Sequence, residues 1–378
     1  MKIAVNTRFL LKNRLEGIGW FTYETCKRIT RWHPEHEFIF IFDRPFDPEF
    51  VFSENVSPVV VFPPARHPFL WYWWFEQSLP RFFRKNHVDL FLSPDGFLSL
   101  SSSVPSLAVI HDINFEHRPG DLPFLTGRFY RHFFPEYARK AVRIGTVSGY
   151  SKEDISQCYG IDPGKIDVYY NGANSAYIPL SPEEKSRTRE KYSGGKEYFV
   201  FVGSLHPRKN IKNLLLAFDA FRKTSSRDMR LVIAGNKMFG NREMETVYAG
   251  MKFRDEVLFT GHLLPEELRF VVGGATALVL VSFFEGFGIP LLEAMQCDVP
   301  LIASAVTSLP EVAGKAAIYA DPSSPDSIRE AMLKMSDDKD LRNHLVEEGR
   351  LQRKKFNWDY TAERLWTSIE KCLEQNEK

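Results

Sequence analysis

Thirteen short apolar runs limit how this 378-residue chain can fold. In the first half they are Lys2–Val5, Phe38–Phe42, Val59–Phe62, Asp89–Leu92, Leu107–Ile110, Arg143–Val147 and Asp167–Tyr170. In the second half they are Tyr198–Val202, Arg230–Ala234, Val257–Thr260, Ala277–Val281, Pro300–Ala303 and Ala317–Ala320. Most are apolar on both faces, so both faces must be covered, as in a parallel sheet with helices above and below. Helix-length stretches such as Trp20–Trp32, Lys212–Arg222 and Leu291–Gln296 separate many of them. Strands alternating with helices predict an α/β architecture.

At roughly 100–200 residues per domain, the length predicts two domains. The seam is legible after Tyr170-Asn171-Gly172. There Ser181, Pro182 and Glu184 spell a helix start, with Ser as N-cap, Pro at the first helical position and Glu closing a capping box. Ser193-Gly194-Gly195 ends that helix before a new strand at Tyr198. Two α/β halves, 1–175 and 176–357, follow. Asn357 to Glu374 reads as an amphipathic helix offering Trp358, Tyr360, Leu365, Trp366, Ile369 and Leu373 for burial.

Lys plus Arg is 49 and Asp plus Glu 48, a net charge of +1 that makes no electrostatic case for a nucleic-acid partner. Cys26, Cys158, Cys297 and Cys372 lie far apart without a CxxC pair, which suggests neither a zinc site nor a disulfide framework. MKIAVNTRFL has too short an apolar run for a secretory signal, and no apolar stretch of about 18 residues exists. A cytoplasmic protein is expected. Aromatics reach 14 %, with a cluster in His67–Lys85. Trp71, Tyr72, Trp74, Phe75 and Leu79 there have three uses open to them: core, the lining of a cleft, or a membrane interface beside Arg81, Arg84 and Lys85.

The sharpest motif is Glu285-Gly-Phe-Gly-Ile-Pro-Leu-Leu-Glu293, two carboxylates separated by seven residues. Glu285 follows a buried strand, and ligands of open α/β sheets bind outside the carboxyl ends of strands. Gly286 and Gly288 let backbone approach a ligand, and Pro290 opens a helix whose free N–H groups favour an anion such as diphosphate. The plainer reading is a strand–helix turn whose Glu caps backbone donors. Gly17-Ile18-Gly19 after the first strand is a weaker signal for a loop close to substrate. His111, ending a strand with Asp112 after it, is by itself a structural hydrogen-bonding residue more often than a catalyst. Asp112 and His117 do not make a metal-ligand set, and Asp338-Lys339-Asp340 sits in a charged helical turn, so no metal site is expected.

SFFEGFGIPLLEAMQCDVPLIAS resembles the E-x7-E motif of retaining nucleotide-sugar glycosyltransferases of family 4. FVGSLHPRKNIKNLLLAF resembles their donor-phosphate segment, and TVSGYSKEDI, VYYNGAN, VLFTGHL and SLPEVAGKAAIYADP match in order and spacing. The resemblance implies a GT-B fold: two Rossmann-like domains facing across a cleft, with residues 358–378 crossing back to the N-terminal domain. That domain would take the acceptor and the second the nucleotide-sugar donor.

By the same resemblance Glu285 contacts donor-sugar hydroxyls and Glu293 the ribose, and Phe287, Gly288 and Ile289 hold sugar and diphosphate. Lys209 and Arg208 would neutralise the leaving diphosphate, beside Gly203, while His111 would face the donor sugar and Gly17 and Gly19 lie near the donor. Ser204 stands where many relatives have Arg, and Asp298 where they have Gly. The implied reaction is metal-independent, retaining hexose transfer without a cofactor, to a glycan or lipid-linked acceptor. The wording of Pro207–Asn210 favours mannosyltransferases of surface polysaccharide assembly and GDP-mannose as donor. Peripheral contact at the inner face of the membrane is a further expectation. Rival readings are a glycogen- or sucrose-synthase-like role and a non-catalytic Rossmann-type sugar or nucleotide-binding protein. A G-x-G-x-x-G after a strand is lacking, which counts against a dinucleotide enzyme.

Overall fold

The structure is a computed structural model that describes residues 1–236 and 242–374. It divides into two compact units, Met1–Asn171 with the chain from Asn357 onward, and Gly172–Phe356.

The first unit is built on seven strands: β1 (Lys2–Asn6), β2 (Glu37–Phe42), β3 (Val56–Val60), β4 (Leu90–Ser93), β5 (Ser106–Val109), β6 (Arg143–Thr146) and β7 (Ile166–Val168). Their order is β3-β2-β1-β4-β5-β6-β7, with every pairing parallel. Ile3 sits opposite both Phe38 and Leu90, and all three are fully buried, as a doubly covered sheet requires. The run expected at Val59–Phe62 falls three residues earlier. Pro58 is accommodated there because β3 is an edge strand, where an N–H can be spared.

The expected glycine loop at Gly17-Ile18-Gly19 is instead the first turn of the helix Gly17–Trp32. Gly19 is buried, and a Cβ on it would lie 2.9 Å from the Phe9 carbonyl oxygen and 3.1 Å from the Leu15 side chain. Its small size serves the packing of residues 9–15 on the helix.

The aromatic segment divides between core, one of its expected uses, and exposed surface. Trp74, Phe75, Leu79 and Phe83 join the core, and Trp71 packs its ring near Phe97, Phe129 and Tyr130. Phe69, Leu70, Tyr72 and Trp73 face solvent. The turn is pinned by the indoles of Trp71 and Trp74, which donate to the carbonyls of Ala65 (2.9 Å) and Val61 (2.8 Å).

The C-terminal helix Trp358–Glu374 packs on the first unit. Trp366 stacks on His33 with ring centroids 3.5 Å apart, and Trp358 meets Phe21 edge-on at 6.4 Å. Asp359 accepts from Arg28 Nε (2.6 Å), Ser368 donates to Asp167 (2.8 Å), and Thr361 donates to the Tyr170 carbonyl. Leu365, Ile369 and Leu373 are buried on that face, each worth roughly 1.5–3 kcal/mol. Tyr360, expected among them, is half exposed because it lies off the buried stripe.

The second unit carries six strands: β8 (Tyr198–Val202), β9 (Arg230–Ala234), β10 (Val257–Gly261), β11 (Ala277–Leu280), β12 (Leu301–Ser304) and β13 (Ala317–Ala320). Their order is β10-β9-β8-β11-β12-β13, again all parallel. The capping box at Ser181 forms: its hydroxyl accepts from Glu184 N–H at 3.2 Å, and Glu184 accepts from Ser181 N–H at 2.9 Å. Asp298 takes the left-handed turn (φ 53°) that relatives give to Gly. Its carboxylate also binds Arg350 (2.6 Å) and Arg353 (3.0 Å), a tie to the helix Lys339–Gln352 and the turn after it that glycine could not supply. In both sheets the strand order reverses direction once, between β1 and β4 and between β8 and β11. Such reversal points are where open α/β sheets take ligands.

Candidate active site

At the second unit's reversal point, the turns after β8 and β11 lie side by side. Gly203 leaves β8 with φ 146°, and the next strand's Gly235 (φ 153°) packs so close that a Cβ would sit 1.9 Å from the Gly203 carbonyl oxygen. Gly235 is thus a second obligatory glycine, which the sequence signalled only as a glycine directly after a strand. The chain then makes a short 3-10 turn, Pro207–Lys209, whose first N–H groups are capped by His206 Nδ1 accepting from Arg208 N–H (3.3 Å). Asn210 turns left-handed (φ 62°) and is buried, its amide donating to the carbonyls of Val281 (2.9 Å) and Pro322 (2.7 Å). That residue locks the cationic turn to the end of β11.

The lock brings Lys209, Arg208 and Glu285 together. Lys209 Nζ lies 2.6 Å from Glu285 Oε1, and Arg208 Nη1 lies 3.0 Å from Oε2 and donates to the Phe284 carbonyl at 2.9 Å. Ser282 donates to Oε1 at 2.7 Å. Burial alone would raise the Glu285 carboxyl, but the charges of Lys209 and Arg208, with hydrogen bonds from Lys209 and Ser282, hold it down at about 2. The peptide around Glu285 is fixed as well: its N–H donates to Thr307 Oγ1 (3.2 Å) and its carbonyl accepts from Ser308 Oγ (2.9 Å). Ser282, Thr307 and Ser308 were not singled out from the sequence. Their only signal was position, Ser282 directly after the run Ala277–Val281 and Thr307-Ser308 shortly after the strand Leu301–Ser304.

After Glu285, Phe287 is buried edge-on to Phe356 (5.5 Å). Gly288 turns at φ 95°, where a Cβ would lie 2.6 Å from Leu309 Cδ2, and the helix Ile289–Gln296 begins. Glu293 lies in that helix, hydrogen-bonded to Tyr177. No cation offsets its burial, so its carboxyl is pushed up to about 7. The two glutamates are therefore opposite in character: one a fixed anion, the other a group near its titration point at neutral pH.

His111, Gly17 and Gly19 belong to the first unit. His111 Nε2 lies 2.8 Å from the Pro94 carbonyl, to which it can only donate, so the neutral ring presents Nδ1 as an acceptor. Burial lowers its pKa, which keeps it neutral at pH 7. Asp112 caps the following turn, accepting from Asn114 N–H at 3.0 Å. His117 pairs with Asp154 (2.7 Å), and together with Cys158 their ligand atoms lie within 4.8 Å of one another. At this unit's reversal point Arg8 pairs with Asp95 at 2.5 Å, a contact that the sequence did not reveal.

Residues 15–177 match the family model Glycosyltransferase Family 4, and residues 182–352 match Glycosyl transferases group 1. The chain is 31 % identical over 255 residues to O-antigen chain mannosyltransferase B of Escherichia coli, covering 67 % of each chain. It is 28 % identical over 223 residues to O-antigen chain mannosyltransferase RfbU of Salmonella typhimurium, covering 59 % of this chain and 58 % of that one. Among solved structures, Anabaena Alr3699/HepE in complex with UDP and glucose superposes with a TM-score of 0.77 at 15 % identity, covering 98 % of this chain and 99 % of that one. WaaG, a glycosyltransferase involved in lipopolysaccharide biosynthesis, gives 0.74 at 15 % identity over 96 % and 98 %. These likenesses show the GT-B fold.

The raised Glu293 carboxyl has a stability consequence. The unfolded chain releases this proton near 4.5, and the folded chain keeps it to about 7. Glu293 therefore removes about 3 kcal/mol of stability as pH rises across that window. Glu285 has the opposite sign, contributing stability above about 4.5 that is lost only as pH falls towards about 2. Glu293→Gln is expected to flatten the decline between pH 4.5 and 7 in denaturant midpoints of the second unit. A variant whose pH slope matches the parent contradicts the assignment.

Proposed function

The chain belongs to glycosyltransferase family 4, and from that premise we propose retaining transfer of a hexose, mannose foremost, from a nucleoside-diphosphate sugar to a hydroxyl of a glycan or lipid-linked acceptor. The Lys209–Glu285–Arg208 cluster carries this reading. Two cations converge on one carboxylate, which fixes two positive charges at the reversal point of the second unit's sheet. A departing nucleoside diphosphate gains negative charge, and fixed cations at that position lower the barrier. The N–H groups opening the helix Ile289–Gln296 add to the same field.

Glu285 is a poor nucleophile and a poor base. Both its oxygens already accept hydrogen bonds, and its carboxyl is held near 2. Its remaining lone pairs can receive donor-sugar hydroxyls. This favours attack on the face the leaving group departs from, with the leaving phosphate taking the acceptor proton, over a covalent intermediate on Glu285. Glu293, titrating near 7, supports the ribose contact that the family implies. For His111 the neutral ring with Nδ1 as acceptor suits a sugar hydroxyl. Gly203, Phe287, Gly288 and Ile289 line the turns that approach the donor, and roles for Gly17 and Gly19 rest on the family resemblance. The mannosyltransferase relatives favour GDP-mannose, whereas the HepE complex holds UDP. We propose metal-independent transfer without a cofactor, because Lys209, Arg208 and helix N–H groups carry charge of the right sign.

A panel of GDP-, UDP- and ADP-sugars with the full chain tests this through acceptor-dependent release of nucleoside diphosphate. GDP-mannose should be turned over, and EDTA should leave the rate unchanged. Glu285→Gln should lose on the order of 2–4 kcal/mol of transition-state stabilisation, roughly thirty- to a thousandfold in rate. A loss below about threefold contradicts the role.

A lipid-linked acceptor would bring a cytoplasmic enzyme to the inner face of the membrane. No helix among the described residues is long and apolar enough to cross one. The exposed aromatics of the first unit suit peripheral contact instead. Phe69 (73 % exposed), Tyr72 and Trp73 (54 %) lie on the helix Pro68–Trp73, which packs against the helix Phe124–Lys140, where Phe124 (74 %) and Leu125 are exposed. Arg66, Arg81, Arg84, Lys85, Arg128 and Arg131 lie in the same stretches of sequence, and the Glu76 carboxylate is taken up by the N–H groups of Leu100 and Ser101. Exposed apolar rings in basic stretches of sequence suit an anionic lipid surface. Cosedimentation with phosphatidylglycerol-containing vesicles, weakened by salt and by Phe69→Ser with Trp73→Ser, is expected. Equal binding to pure phosphatidylcholine, or no effect of the two substitutions, contradicts it.

A further inference from the structure

We propose that Arg8 and Phe9, at the carboxyl end of β1, form a carbohydrate subsite for a neutral pyranoside of the acceptor. The inference rests on the glycosyltransferase reading above and adds to it a substrate contact built within the first unit.

The first unit has its own reversal point, between β1 and β4, and a polar network fills it. Asp95 Oδ1 accepts from Asn6 Nδ2 (2.9 Å), Ser93 Oγ (3.0 Å) and the Phe97 N–H (3.2 Å). Its other oxygen holds Arg8 Nε at 2.5 Å. The guanidinium carbon lies 4.2 Å from the ring centroid of Phe97, 5.3 Å from Phe75 and 5.1 Å from Phe9. Arg8 is 5 % exposed as a residue, and its plane is held by the buried Asp95, Phe75 and Phe97, with the partly exposed Phe9 beside it.

A buried ion pair is weak evidence for stability, because desolvation offsets most of the attraction. Here the pairing uses only Nε. Neither Nη1 nor Nη2 donates to a described residue, yet neither nitrogen is sealed from solvent. Up to four N–H donors are therefore held in one plane with no protein acceptor, which is the presentation of a ligand-binding arginine.

The ligand class follows from the charge. Asp95 already neutralises Arg8, so a full anion gains little there, whereas hydroxyl oxygens of a sugar accept readily from the fork. Phe9 supplies the second element of carbohydrate recognition. Its ring stands beside the guanidinium and is 39 % exposed, leaving an apolar face for the C–H surface of a pyranose. Phe9 is also held in place, since its carbonyl packs against Gly19 where any Cβ would clash. Gly19 thus supports the proposed subsite through packing.

The test is ligand-observed NMR on the full chain with bound nucleoside diphosphate, titrated with methyl pyranosides and with mannose disaccharides. Saturable sugar binding is expected, weakened at least about tenfold by Arg8→Met and by Phe9→Ala, and less by Arg8→Lys. Nucleoside diphosphate affinity should be the same in every variant, and acceptor KM should rise while donor KM holds. Arg8→Met leaves Asp95 buried without its cation and is open to misfolding, whereas Phe9→Ala alters an exposed ring and reports on a folded chain. Wild-type protein that binds nucleoside diphosphate but no pyranoside overturns this inference alone. A Phe9→Ala variant with unchanged acceptor affinity overturns it as well. A chain that binds no nucleoside diphosphate overturns the underlying functional reading.

Discussion

One buried carboxylate organises the second unit. Glu285 joins the turn after β8, through Lys209 and Arg208, to the turn after β11 that bears it, and its own peptide is clamped by Thr307 and Ser308 beyond β12. Three neighbouring strand ends thus converge on one charge. Burying these groups is costly unless all are paired, so the arrangement fixes the cations to within hydrogen-bond geometry before any donor arrives. The pairing also lowers the basicity of Glu285.

The two units meet the same topological constraint differently. Each sheet reverses order once, and each reversal point holds an Arg–carboxylate contact: the part-buried Arg208–Glu285 in one, the buried Arg8–Asp95 in the other. In the second unit the cations outnumber the carboxylate, which suits a diphosphate. In the first they balance, which suits a neutral polyol. Backbone crowding reinforces both sites, through Gly235 against Gly203 and through Gly19 against Phe9.

Much of this was legible in the sequence. All thirteen apolar runs became strands, because residues apolar on both faces have few other places to go. The capping box at Ser181 and the C-terminal helix itself were equally readable, since both rest on local chemistry or strong periodicity, whereas the packing of that helix on the first unit was implied only by the family resemblance. Glycine was the weak point. Gly17 and Gly19 read as a loop but lie in a helix, because what fixes Gly19 is contact with Phe9 ten residues away. Lys209, Arg208 and Glu285 were found through their motifs, but their mutual pairing across 76 and 77 residues was not, nor was the 87-residue step from Arg8 to Asp95. Long-range pairing follows from strand order, which no local pattern encodes. The aromatic cluster illustrates the same limit, with Trp74 and Trp73 adjacent in sequence yet one buried and the other exposed.

The central claim is that Lys209 and Glu285 work as one unit, with the carboxylate holding the cation for the leaving diphosphate. A double-mutant cycle of Lys209→Met and Glu285→Gln on kcat/KM tests it directly. If the claim holds, the double variant falls no more than about tenfold below the worse single variant, because either change already breaks the unit. Losses that multiply, the double variant showing the product of the two single effects, would contradict it.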